Sequence, residues 1–251
     1  MNVAVVVPVL NQKELTQNFL DKLRENEGEA KFPLVIIDNG SDEPVRDWLI
    51  GLRDGDMVIR NDENIGVMPA LNQAWQVLKS VTDFICYLHN DVLVHEKGWD
   101  DKIVWFLEKL PDCGVAGFYG AKALGAPNIY QNPYQMNQLA RFENVSDCNR
   151  MEASIHGFRP IRIDPETQTA AEKVAVMDGF SLIIKTELLN KLGGFDRSYP
   201  PHHNFDNDIC LESIDNGYTN YVISMDAEHL GGRTDVGEDW AKPFGKSKAQ
   251  I

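Results

Sequence analysis

No two of the four cysteines form a CxxC pair; Cys86, Cys113, Cys148 and Cys210 lie far apart. That spacing argues against a zinc site. A chain of 251 residues needs no disulfide framework, so reduced thiols in a cytoplasmic protein are the expectation. No apolar run approaches the roughly 20 residues that a membrane helix requires. The opening Met1-Asn2-Val3-Ala4-Val5-Val6-Val7 lacks a basic stretch and is cut by Pro8, which reads as a strand rather than a secretory signal. Asn144-Val145-Ser146 is then a chance glycosylation triplet. Basic charge is scarce as well: 24 Lys and Arg stand against 38 Asp and Glu, a net charge of −14. Such a surface repels phosphate backbones and anionic lipid. Glycine-rich phosphate cradles are missing. Without GxGxxG after the first strand, and without a P-loop, a nicotinamide dehydrogenase and a P-loop enzyme both fit poorly. No internal repeat or low-complexity tract occurs.

What is present is an α/β pattern. Val3–Val7 and Leu34–Ile37 are continuous apolar runs rich in β-branched residues, as in strands covered on both faces. Shorter runs at Met57–Ile59 and Phe84–Leu88 predict two more strands. Between them, Leu15, Phe19, Leu20 and Leu23 fall at helical spacing. So do Val67, Leu71, Ala74, Trp75 and Leu78, and then Trp99, Ile103, Phe106 and Leu110. A short helix is predicted to carry Trp48, Leu49 and Leu52. This alternation through residue 118 predicts a parallel sheet with helices on both faces, whose ligands bind beyond the carboxyl ends of the strands.

Residues 119–173 break the pattern. They are rich in Asn, Gln and Pro, too long for an ordinary connection, and suit a wall for an acceptor. Between Tyr119 and Val176 six basic residues (Lys122, Arg141, Arg150, Arg159, Arg162, Lys173) balance six acidic ones, so an anionic acceptor stays open. Strands resume at Val174–Met177 and Ser181–Ile184; Thr186 is placed to cap a helix that stops at Gly193-Gly194. A helix over 206–216 and a strand at Tyr221–Ile223 follow, and the glycine-rich tail is expected to be mobile. Trp75, Trp99 and Trp105 read as core, Lys13 and Arg60 as solvated charges, His202 and His203 as an exposed loop, and Trp240 as a candidate lid.

Asp91, in His89-Asn90-Asp91 after a buried strand, can hold a hard divalent cation that also binds phosphate. It stands in a longer ordered set. First come Val6-Val7-Pro8-Val9-Leu10-Asn11, Ile37-Asp38-Asn39-Gly40-Ser41-Asp42, Asn64-Ile65-Gly66 with Asn72, and His89-Asn90-Asp91-Val92. Later come Asp178-Gly179-Phe180, Gly193-Gly194-Phe195-Asp196, Phe205-Asp206-Asn207-Asp208-Ile209-Cys210-Leu211, and His229. In this order and spacing the set resembles the family 2 glycosyltransferases of the GT-A fold, from residue 3 to about residue 233.

The resemblance implies a Rossmann-like, mostly parallel twisted sheet flanked by helices, one domain with an acceptor-side insertion. Residues 1–118 would form the nucleotide-sugar-binding half. Residues 119–232 would be the acceptor and catalytic-base half of the same domain, and 233–251 a flexible tail. Pro8, Val9 and Asn11 resemble the lining of the nucleoside pocket, and Asp38 the carboxylate that reads base or ribose. Asn64, Gly66, Asn72, His89 and Asn90 resemble further parts of the donor site. Asp91 resembles the metal-binding Asp of the DxD element, and His229 a later His that completes the metal site. Mn2+ or Mg2+ there would bridge to the diphosphate of the donor. Asp206 resembles the catalytic base of an inverting displacement, with Asp208 orienting the acceptor or serving as the base itself. From the residues alone, Asp38 also suits an Asx-turn, Asp206 a helix-start carboxylate and His229 a structural role.

The implied reaction moves a sugar from a nucleoside-diphosphate sugar, UDP-sugar favoured, to a glycan or other hydroxyl-bearing acceptor. Three departures qualify it: His89 replaces the first Asp of DxD, Phe205 replaces the acidic residue before the base, and no QxxRW follows. The last argues against a processive synthase. A nucleotidyltransferase would carry a Gly-rich, Arg-containing loop where Pro8-Val9-Leu10-Asn11 stands. A non-catalytic nucleotide-sugar-binding protein and a transferase acting on hydroxymethylated DNA bases remain as alternatives, the charge of −14 counting against the second. Nothing in the sequence fixes an oligomeric state.

Overall fold

The structure, a computed structural model, describes residues 1–121, 163–164, 169–199 and 204–230. Most of the expected acceptor wall, with Lys122, Arg141, Arg150, Arg159 and Arg162, lies outside the described residues. So do Cys148, His202, His203 and the 233–251 tail with Trp240.

In chain order the elements are β1 (Val3–Val9), α1 (Lys13–Glu25), β2 (Leu34–Asn39), α2 (Val45–Trp48), β3 (Met57–Asn61) and α3 (Val67–Leu78). Next come β4 (Phe84–Leu88), β5 (Val92–Val94), α4 (Trp99–Lys109), β6 (Cys113–Gly117), β7 (Gly120–Ala121), β8 (Ile163–Asp164) and β9 (Thr169–Val174). The last are β10 (Val176–Met177), β11 (Ser181–Lys185), α5 (Thr186–Leu192), α6 (Phe205–Asp215), β12 (Thr219–Ile223) and β13 (Ala227–His229).

A nine-stranded sheet runs in the order β3-β2-β1-β4-β11-β6-β12-β9-β8, beside two-stranded pairs of β7 with β10 and of β5 with β13. Its first four strands are parallel. The continuous apolar run of β1 has a simple cause, since successive side chains point to opposite faces. Val3, Val5, Val7 and Val9 enter a core with Phe19, Leu20 and Leu23 of α1 and Trp99, Ile103 and Phe106 of α4. Ala4 and Val6 enter the opposite core, with Leu71 and Trp75 of α3, Leu188 and Leu189 of α5, and Ile209 of α6. Burying side chains of this size contributes roughly 1.5–3 kcal/mol each. Among the described residues no helix is long and apolar enough to cross a membrane.

Two strands, β9 and β11, run the other way. β11 is antiparallel to both β4 and β6, with Ser181 opposite Leu88. The turn entering β11 therefore emerges beside the residues that leave β4, at the edge where the parallel strands end. β13 pairs antiparallel with β5, placing His229 opposite Val92.

Two local expectations change. The predicted helix through Leu52 stops at Trp48, because Leu49 is extended (ψ 125°) and Gly51 turns with φ +100°. Thr186 does not cap its helix: the cap is Lys185, and the Thr186 hydroxyl lies 3.0 Å from that of Thr82. The predicted stop holds, with Gly193 left-handed at φ +81°.

Candidate functional site

Every residue of β4 is buried, so the chain leaves the sheet at a fixed point. The His89 backbone N–H donates to the Phe180 carbonyl (2.9 Å), and Asn90 Nδ2 donates to Thr16 Oγ1 (2.9 Å), fastening the loop to α1. Asp91 comes next and is 4% exposed. Its Oδ1 lies 3.3 Å from His229 Nε2 and 3.9 Å from His89 Nδ1. One ligand atom from each of the three residues falls within 4.8 Å of the others. Oδ1 is buried, yet no group among the described residues hydrogen-bonds to it.

An orphaned carboxylate oxygen costs stability unless something positive meets it. Two imidazoles and a carboxylate are a fitting donor set for a divalent cation. The His89 ring is partly exposed, but the packing around it strips enough water to lower its pKa against the pull of Asp91, which favours the neutral imidazole with a free lone pair. Burial opposes the charge on Asp91, but His229 and His89 overcome it and hold the carboxyl below its usual range. The Phe180 ring stacks on His229, centroids 4.3 Å apart and planes 18° apart.

Asp206 sits in the first turn of α6. Its Oδ2 accepts the Gly179 N–H (3.1 Å) and its Oδ1 the Asn207 N–H (2.8 Å). Burial pushes its pKa up to about 6; the negative charge of Asp178 adds to this, and the amides of Asn207 and Gly179 oppose it. Asp208 has different surroundings, since residues two apart on a helix do not share a face. Its Oδ1 accepts the Tyr199 hydroxyl (2.9 Å).

The remaining candidates mostly hold loops. The Val9 side chain is buried in the core, and its backbone stands in register with Asp38 of β2. Pro8 is half-buried. Asn11 ties its loop to the next through its N–H to Ser41 Oγ and through its Oδ1, which accepts the Asp42 N–H, both at 2.8 Å. Asp38 is fully buried and both oxygens are used: Oδ1 by the Ser41 N–H, Oδ2 by the Val45 N–H and by Arg60. Burial opposes its charge, yet these donors hold its pKa down. Arg60, read from the sequence as a solvated charge, spans Asp38 and the Ser41 carbonyl. Lys13 pairs with Glu43. Asn64 Oδ1 accepts from Asn39 Nδ2 (2.8 Å) and from the N–H of Gly66 (2.9 Å), which is left-handed at φ +88°. Asn72 spends both ends of its amide on the Phe195 backbone, at 2.9 and 2.8 Å.

The Glycosyl transferase family 2 profile matches residues 4–176, more than half of the sequence. The chain belongs to this family. Its fold is that of the GT-A glycosyltransferases. The mannosyltransferase PcManGT from Pyrobaculum calidifontis, in complex with GDP-Man and Mn2+, superposes with a TM-score of 0.59 at 19% identity, covering 92% of this chain and 58% of that one. GalNAc-T7 with UDP, GalNAc and Mn2+ gives a TM-score of 0.65 at 15% identity, covering 91% and 44%. TarS 1-349 of S. aureus gives 0.54 at 16%, covering 89% and 58%. The chain thus spans about half the length of the structures it matches. Among curated proteins no sequence matches significantly.

In this family 2 chain the Asp178–Phe180 turn links the His89–Asp91–His229 cluster to Asp206, reaching Asp206 through Gly179 and both histidines through Phe180. The sequence displayed Asp178-Gly179-Phe180 within the resemblance but gave no reason to assign these residues a role. That role depends on β11 running backwards through the sheet.

Proposed function

We propose that this chain is a glycosyltransferase that moves a sugar from a nucleoside-diphosphate sugar, a UDP-sugar foremost, to an acceptor hydroxyl with inversion. The observation that carries this reading is the buried Oδ1 of Asp91, which accepts no well-formed hydrogen bond and stands between the imidazoles of His89 and His229. A divalent cation, Mn2+ or Mg2+, held by those three residues would neutralise the charge that develops on the departing diphosphate. The Mn2+ and nucleotide named with PcManGT and GalNAc-T7 support the same assignment.

Asp206 is the base. As the acceptor oxygen bonds to the anomeric carbon and the bond from that carbon to the diphosphate breaks, the Asp206 carboxylate takes the acceptor proton. A base with a pKa near 6 is largely ionised at neutral pH and still basic enough to share the proton in the transition state. Asp208, occupied by Tyr199, orients the acceptor side instead. The loops fastened by Asn11, Asp38, Arg60 and Asn64 frame the nucleoside, and the acceptor is a glycan or another hydroxyl-bearing molecule. The net charge of −14 counts against DNA.

The test is a calorimetric titration of UDP, GDP, dTDP and CDP with and without Mn2+, with Asp91→Ala as control. Tight binding of one nucleotide that needs both the cation and Asp91 supports the reading. Absence of metal-dependent binding to any of the four would overturn it.

A further inference from the structure

Asp91 is fixed by burial, but the side chains of His89 and His229 are 40% and 28% exposed. A partly exposed imidazole can rotate away, and freezing it when a ligand arrives lowers affinity. Phe180 touches both residues. Its ring lies flat against His229 at 4.3 Å, and its carbonyl accepts the His89 backbone N–H at 2.9 Å. Phe180 is itself immobilised: it is 3% exposed, and it lies between Gly179, whose N–H is anchored on Asp206, and Ser181, which pairs with Leu88. The stack fixes the plane of the His229 ring, and the backbone bond fixes the start of the His89-Asn90-Asp91 loop.

We propose that Phe180 is a positioning residue for the cation, presetting both histidines against Asp91 before the cation arrives. The inference rests on the proposed cation site and names the residue that organises it. Groups behind a ligand shell commonly change metal affinity by 10- to 100-fold when they are replaced. Phe180 reaches one ligand by its face and another by its backbone. Only the first contact depends on the side chain, so the loss on substitution falls at the lower end.

The experiment titrates Mn2+ alone, without nucleotide, into the wild type, Phe180→Leu and Phe180→Tyr, with thermal midpoints recorded free of metal. Leu keeps the apolar bulk but lacks the flat face, and its Mn2+ affinity should fall about 10-fold, whereas Tyr keeps the ring and should bind like the wild type. Phe180→Met, which packs adaptably, replaces the Leu variant should that one not fold. Unchanged Mn2+ affinity in a folded Leu or Met variant would show that Phe180 only fills the core, and would leave the transferase reading standing. Failure of the wild type to bind Mn2+ would overturn the cation site, and this inference with it.

Discussion

The backbone N–H of Gly179 donates to Oδ2 of Asp206 at 3.1 Å, which ties the carboxylate at the start of α6 to the turn that enters β11. The contact exists because residue 179 has no side chain. A Cβ there would stand 2.7 Å from Cζ of Phe205 and 3.5 Å from Cβ of Asp206.

Gly179→Ala should therefore displace α6 from the turn. A destabilisation of roughly 1–3 kcal/mol is expected from the overpacking. Transfer should slow more than nucleotide binding weakens, since Asp206 moves while the donor loops do not. Denaturant unfolding together with separate kcat and KM values would check this; equal loss in both kinetic constants would contradict it.

The pH dependence follows from Asp206. With Asp206 as the proposed base, transfer would need its carboxylate ionised, so kcat should rise as pH increases through about 6 and level off above. Asp206→Asn should lower kcat by about 10²- to 10⁴-fold and abolish that limb. Stability moves the opposite way. A folded pKa raised above the unfolded value favours the protonated fold, a contribution present in acid and lost as pH rises through about 6. At pH 8 the Asn variant, which cannot ionise, should be more stable than the wild type, by on the order of 2 kcal/mol. A variant less stable at pH 8 would mean that the lost hydrogen bonds outweigh the desolvation.

The donor set bears on which cation is preferred. Imidazole suits transition metals, whereas Mg2+ prefers oxygen ligands and retains its water. Mn2+ should thus bind more tightly than Mg2+, and His89→Asp should narrow the difference by at least several-fold. Calorimetry with the two ions on both proteins decides; a ratio unaffected by the substitution would exclude His89 from the cation.

Asn72→Ala should leave the N–H and carbonyl of Phe195 without their partner. Each buried backbone group so stranded costs about 1–3 kcal/mol. A thermal midpoint unchanged in the Ala variant would show that water replaces the amide.

The alternation of strands and helices was legible because β1, β2 and β4 are buried on both faces and carry unbroken apolar runs. By contrast β3, at the edge of the sheet and largely uncovered, shows only the short Met57–Ile59 run. Asp91 was legible for a related reason: it lies three residues past the end of the β4 run. Three-residue β5 and β13 carry no periodicity, since their pairing is decided by where β4 and β12 have already placed the chain. Arg60 looked solvated because its partner Asp38 belongs to the neighbouring strand, a relation that only the sheet order creates. Asn72 and Asn90 stood inside the resemblance as donor-site residues, while their amides turn to Phe195 and to Thr16. An Asn side chain offers the same groups to ligand and to backbone, so its residue type alone does not distinguish the two uses.

His229 reaches Asp91 only through β13, the last described strand, which pairs with the strand that follows Asp91. A cation gripped between them would pin an early stretch of the chain to a late one. Contacts of such sequence separation form slowly, and during synthesis the N-terminal strands are made long before their partner. A nascent chain halted before residue 229 would own the first parallel strands and Asp91, yet have no second jaw with which to hold the ion. Metal affinity would then be acquired late in folding, and its appearance would time the moment at which the two ends of the fold meet.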